Sequence, residues 1–155
     1  KRMQKLNKNL LLVYTGINRT AHDIAKGYVR NLQTSKKSYI LEILSLVNEA
    51  EKILHKGDLN DFGKLLHESW LVKKNLSSSI SNFKIDEIYN EAIKRGALGG
   101  KLLGAGGGGF FLFYIPYSRQ RSIIKYFNKL VTIPFNFTSE GSKILFKGIN
   151  QKIIL

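Results

Sequence analysis

The 155-residue chain contains no cysteine, which excludes disulfide staples, thiolate metal sites and a cysteine nucleophile. It has no apolar run near the roughly 18 residues that span a bilayer. No apolar segment of roughly 7–15 residues follows Lys1-Arg2-Met3-Gln4, so the start does not read as a secretory signal. Together these absences give a cytoplasmic location as the expectation. The chain does not open on Met, so a piece of something longer is expected. Acidic residues are scarce: 11 Asp+Glu stand against 25 Lys+Arg, a formal net charge of +14. With 43% hydrophobic and 11% aromatic residues the chain can bury a core, and its length fits one domain.

The charge is uneven. Residues 1–37 carry nine basic and one acidic residue, residues 38–91 six and nine, and residues 92–155 ten and one, giving +8, −3 and +9. A basic excess suits nucleic acid, a membrane surface or a phosphorylated small molecule, or it is only a solvated lysine surface. No basic run exceeds two residues, and no RNA-binding signature or zinc-finger spacing is present. Neither a nucleic-acid nor a membrane partner is therefore expected.

Residues 9–15 read as a buried strand ending near Gly16, with Thr20 as a cap for an amphipathic helix over 21–33. Ser38 is the expected cap of a second helix whose stripe is Ile40, Ile43, Leu44, Val47 and Leu54. Gly57 ends it and Asp58 caps a third helix over 59–76. After the polar break Ser77–Ser81, a shorter helix spans Asp86–Arg95 and stops at Gly96. Ala97–Leu103 and Phe110–Ile115 read as strands. Pro116 leads into a helix with stripe Ile123, Phe127 and Leu130. Short strands follow at Phe135–Thr138 and Ile144–Lys147 around a Glu140-Gly141-Ser142 turn. The expected class is α+β, a mostly antiparallel sheet of four to five strands with helices layered on one face.

Eight of the 14 glycines fall between Gly96 and Gly109. Gly104-Ala105-Gly106-Gly107-Gly108-Gly109 joins two strands, and successive exposed amides in such a turn can form an anion-binding concavity. The segment matches G-x-G-x-x-G, but a strand follows it and no acidic residue lies near 20 positions on, against a dinucleotide site. Phe110-Phe111 stands where a P-loop needs Lys-Ser/Thr.

Gly100-Lys101-Leu102-Leu103-Gly104-Ala105-Gly106-Gly107-Gly108-Gly109-Phe110 resembles the third motif of the GHMP small-molecule kinases. Leu66-His67-Glu68-Ser69-Trp70-Leu71-Val72-Lys73-Lys74, Ile85-Asp86-Glu87-Ile88-Tyr89 and Tyr14-Thr15-Gly16-Ile17-Asn18-Arg19-Thr20-Ala21 resemble their sugar-phosphate branch, nearest the heptose 7-phosphate kinases. The resemblance runs from about Leu10 to Phe146 and covers a C-terminal, ferredoxin-like domain alone, so residues 1–155 are expected to be that single domain. It implies a two-domain enzyme with ATP and a phosphorylated sugar in the cleft, moving the γ-phosphoryl group to the anomeric hydroxyl of a heptose 7-phosphate. The family's Pro-x-x-x-Gly-Leu-Gly-Ser-Ser loop, its catalytic Asp and its Mg2+ ligands belong to an N-terminal half, and no such loop occurs here. No catalytic base and no metal ligand are therefore assigned to this chain, and the fragment alone is expected to be inactive. An apolar face left uncovered gives a homodimer as a further expectation.

In that scheme Gly104, Ala105, Gly106, Gly107 and Gly108 shape the phosphate end of the cleft. Arg19, on the loop after the first strand, is the leading candidate for substrate phosphate, because its fork binds phosphate oxygens bidentately. Thr15, Asn18 and Thr20 are weaker candidates on the same loop. On a helical wheel Lys73 falls inside the apolar stripe of Phe62, Leu65, Leu66, Ser69 and Leu76, where it either reaches a phosphate or snorkels along its stem. Trp70 either stacks on a sugar or closes the core. Other GHMP kinases of galactokinase or mevalonate type, a non-catalytic module and a basic nucleic-acid-binding domain are the alternatives.

Overall fold

A computed structural model describes residues 1–29 and 34–144. The elements are α1 (Arg2–Asn9), β1 (Leu10–Tyr14), α2 (Ala21–Val29), α3 (Lys37–His55), α4 (Leu59–Lys74), a 3-10 turn (Ser78–Ile80), α5 (Phe83–Lys94), β2 (Gly99–Leu102), β3 (Phe110–Tyr114), α6 (Tyr117–Tyr126) and β4 (Thr132–Ile133). The strands lie in the order β2-β3-β1-β4 with every pair antiparallel. The α+β class and the antiparallel sheet are as the sequence predicts.

Alternation along the strands sorts side chains onto two faces. Leu11, Val13, Leu102, Phe111 and Phe113 share the larger core with Trp70 of α4, Ile85, Ile88 and Tyr89 of α5, and Ile123 of α6. Leu10 and Tyr114 point the other way and pack with Leu6, Leu59 and Leu66 in a smaller cluster. Helix α4 contributes to both clusters because it runs alongside the outer strand β2. Two glycines permit that approach. A Cβ on Gly99 would collide with the Gly63 carbonyl, and one on Gly63 would lie 2.8 Å from Leu98 and Tyr114.

Several boundaries differ from the sequence reading. Helix α1 was not anticipated. Asn9 at its end explains its place: its amide donates to Tyr114 Oη at 2.9 Å and its oxygen accepts from Tyr117 N at 3.0 Å. Helix α3 begins at Lys37, so Ser38 is not its cap. Its packed side is Tyr39, Ile43 and Ile53, while Ile40, Leu44 and Val47 of the expected stripe are exposed. Helix α5 begins three residues early because Asn82 caps it, accepting from Ile85 N at 3.1 Å. Asp58 caps α4 as expected, accepting from Asn60 N at 3.0 Å. The fourth strand is Thr132–Ile133, paired with Leu12 and Val13, and residues 135–138 and the Glu140–Ser142 segment carry neither the expected strand nor the expected turn. The end of the 21–33 helix and most of the Ile144–Lys147 segment lie outside the described residues. Among the described residues no helix is long and apolar enough to cross a membrane.

Candidate functional site

The glycine segment connects β2 to β3 and is held from three directions. Gly107 N donates to Ile80 O at 2.8 Å, fastening it to the 3-10 turn. Gly109 N donates to Ile17 O at 3.0 Å, fastening it to the loop after β1. Gly109 O accepts from both Thr15 N and Thr15 Oγ1 at 2.9 Å. At the entry, Lys73 Nζ donates to Leu102 O at 2.7 Å and to Gly104 O at 2.6 Å.

These ties dictate the residue type. Gly104, Gly106, Gly107 and Gly109 have φ of 68, 111, 75 and 91°, a region that L side chains avoid. Gly108 has no such φ, but a Cβ there would run into the Ile17 carbonyl. Among the described residues the amides of Gly104, Ala105, Gly106 and Gly108 donate to no protein acceptor. Backbone donors left over in a tight, glycine-shaped turn suit an anion with several oxygens.

The loop opens on a cavity of about 400 Å³. Leu12, Phe110 and Ile133 of the sheet form its apolar floor, the glycine loop one wall, and Ile17, Asn18 and Arg19 another. Arg19 is exposed and has no ion-pair or hydrogen-bond partner among the described residues. The lining contains no carboxylate, and no three His, Cys, Asp or Glu side chains are grouped among the described residues. The polar groups therefore fit phosphate oxygens and offer no ligand set for Mg2+.

Lys73 is 7% exposed and has no acidic partner among the described residues. Burial, and then the charge of Lys101, lower its pKa to about 8. Lys101 is itself lowered by burial, and its Nζ donates to Ser69 Oγ at 2.6 Å. Two neighbouring cations, Lys73 buried behind the loop and Lys101 half-buried on β2, thus stand without a counter-ion among the described residues, which raises the local potential for an anionic ligand. The wheel position of Lys73 is as read from the sequence. The carbonyls it serves, on a strand 29 and a loop 31 residues further on, are not visible in helical spacing.

Trp70 requires a correction. It is 0% exposed, so no face of the indole is open to a sugar. It packs edge-on to Phe111 at 5.5 Å and against Tyr89 at 6.0 Å, the core role of its two readings. Thr15 is also fully buried, and its hydroxyl faces the loop backbone and not the cavity. Of the candidate side chains, Arg19 and Asn18 line the cavity, whereas Thr15 and Lys73 lie behind the loop. Lys101 and Ser69 were not singled out from the sequence. An Lys alternating inside a buried strand was the available signal.

The chain is similar to several known proteins. The D-glycero-alpha-D-manno-heptose 7-phosphate kinase of Campylobacter jejuni is 32% identical over 145 residues, covering 90% of this chain and 42% of that protein. The L-fucokinase/L-fucose-1-P guanylyltransferase of Bacteroides fragilis is 36% identical over 123 residues, covering 73% of this chain and 12% of that protein. The structure of L. major mevalonate kinase with R-mevalonate superimposes with a TM-score of 0.69 at 25% identity, covering 83% of this chain and 43% of that one. The chain thus spans less than half the length of each of these relatives. The family described as GHMP kinases C terminal matches residues 50–131, a stretch that includes α4, α5, β2, the glycine loop and β3. The loop with its spare amides and the fold that braces it meet in one assignment: the chain belongs to the GHMP kinase C-terminal family.

Proposed function

We propose that this chain is the C-terminal domain of an ATP-dependent sugar-phosphate kinase, whose acceptor is the anomeric hydroxyl of D-glycero-D-manno-heptose 7-phosphate. One observation carries the reading: four backbone amides and Arg19, all without a protein partner among the described residues, border the same cavity. The amides suit the oxygens of a nucleotide or transferring phosphoryl group, and the Arg19 fork suits the acceptor's own phosphate. Lys73 and Lys101 add positive potential behind the loop, and Lys73 fixes where the loop starts. Phosphoryl transfer depends mainly on positioning and charge stabilisation, and these groups supply both.

The lining lacks a carboxylate, so in this reading the Mg2+ ligands and the catalytic base come from an N-terminal domain that completes the cleft. ATP with Mg2+ is then shared between two domains, and the 155 residues alone turn nothing over. Support for a phosphorylated acceptor comes from Arg19 and from the 32% identity to the heptose 7-phosphate kinase. Fucose and mevalonate, named for the other relatives, carry no phosphate for Arg19 to hold.

The test is a phosphoryl-transfer assay of the full-length protein that carries this chain. ATP–Mg2+ is supplied with heptose 7-phosphate, fucose or mevalonate. Turnover confined to heptose 7-phosphate is expected. Turnover of fucose or mevalonate in preference to it would refute the acceptor assignment, and no turnover of any of the three would refute the sugar-kinase reading.

A further inference from the structure

Helix α3 has two apolar faces. Tyr39, Ile43 and Ile53 pack against the body of the domain. Turned roughly 130° away at 100° per residue lie Lys37, Ile40, Leu44, Val47 and Glu51, with Leu41 beside them. Ile40 is 38%, Leu41 54%, Leu44 56% and Val47 58% exposed. The spacing of the five is three, four, three, four, the a/d seam of a coiled coil two heptads long. A solvated face has no need of three apolar residues in that register with a fourth beside them.

The ends of the seam are charged and opposite in sign. Lys37 opens it and Glu51 closes it, about 21 Å apart along the helix axis. Both are exposed, and neither has an ion-pair partner among the described residues. A helix with one positive end, one negative end and an apolar middle complements its own reverse. Laid antiparallel on a second α3 with the two-fold axis at Leu44, Lys37 meets Glu51 of the other copy at both ends. Leu44 then meets Leu44, and Leu41 meets Val47. A two-fold interface of this kind closes on itself and stops at two subunits.

We infer that α3 is the dimerisation helix of this protein, pairing antiparallel with α3 of a second copy about Leu44. The surface is separate from the phosphate cavity, whose lining contains no α3 residue.

The test is the mass of the full-length protein that carries this chain, by analytical ultracentrifugation across a concentration series. A concentration-dependent dimer is expected, and Leu44→Lys is expected to leave only monomer with an unchanged circular dichroism spectrum. Lys37→Glu and Glu51→Lys are each expected to raise the dimer dissociation constant about tenfold, since two attractive pairs become repulsive. The double variant Lys37→Glu/Glu51→Lys is expected to restore the dimer. A monomer at every concentration overturns the proposal, as does a dimer untouched by Leu44→Lys. Failure of the double variant to restore the dimer overturns the antiparallel register.

Discussion

The ammonium of Lys73 sits 2.6 Å from the carbonyl of Gly104, so a helix residue buried in the core holds the first residue of the glycine loop. The same ammonium holds Leu102 O at the end of β2. A buried cation without a carboxylate is costly unless its protons are used, and these two carbonyls use them. The pair links core packing to the shape of the candidate site.

This link carries a pH signature. The pKa of Lys73 is lowered to about 8 in the folded chain, from an ordinary value of 10.5. Between these values the unfolded chain binds the extra proton, so stability rises with pH there. The destabilising contribution is fully present below pH 8 and relieved as pH climbs towards 10.5. Lys101 acts in the same direction. Urea unfolding midpoints followed from pH 7 upwards are expected to rise less steeply in Lys73→Met than in the parent. Identical slopes would remove Lys73 from the account.

Two glycines of the loop are expected to respond differently to one methyl group. At Gly108 the new Cβ meets the Ile17 carbonyl, which is backbone and cannot swing aside, so Gly108→Ala displaces the loop or the strand-end segment. At Gly104 nothing lies within 4 Å, and only the φ of 68° resists, which costs roughly 1–2 kcal/mol. Thermal unfolding of the two variants checks the order: Gly108→Ala loses more Tm than Gly104→Ala.

Arg19 is exposed and has no partner among the described residues, so its removal is expected to leave the fold alone. In the full-length protein Arg19→Ala is expected to raise KM for the sugar phosphate roughly 10- to 100-fold, the loss of one charge-assisted contact of about 1.5–3 kcal/mol. Arg19→Lys recovers part of it, because a point charge replaces a bidentate fork. Steady-state kinetics with varied sugar phosphate, beside unchanged Tm values, is the measurement. An unchanged KM in Arg19→Ala would place the acceptor phosphate elsewhere.

Trp70→Ala is expected to act on stability. The indole fills the space between Tyr89 and Phe111, and large-to-small changes of this kind cost about 3–5 kcal/mol. Chemical denaturation should show a lowered midpoint, and Trp70→Phe should recover much of it. A sugar-stacking role would instead appear as altered KM with stability intact.

Much of the fold was legible because its signals are local. Asp58 before an apolar stripe marks the start of α4, Gly96 marks the end of α5, and the aromatic run from Phe110 marks β3. The glycine loop declared itself by composition. What escaped depends on contacts distant in the chain. Helix α1 is a lysine-rich octamer with only Leu6 and Asn9 buried, and what fixes it is Asn9 meeting Tyr114 and Tyr117. Helix α3 has enough apolar residues for two stripes, and periodicity cannot say which one faces the core. Strand β4 is two residues long, shorter than any alternating pattern. At the site, the wheel placed Lys73 among buried neighbours, but no spacing rule ties a helix ammonium to carbonyls 29 and 31 residues later.

The contact between Gly63 and Gly99 reaches beyond packing. Gly63 and Lys73 ride on one helix, ten residues and about 15 Å apart. A side chain at Gly63 or Gly99 would pry the near end of that helix from the sheet, and the helix, being stiff, would withdraw its far end from Gly104. The two glycines therefore act as a fulcrum. A substitution there, outside the lining of the cavity, would be felt as a misplaced loop, and inherited variation at those positions should be scored as variation in the candidate site itself.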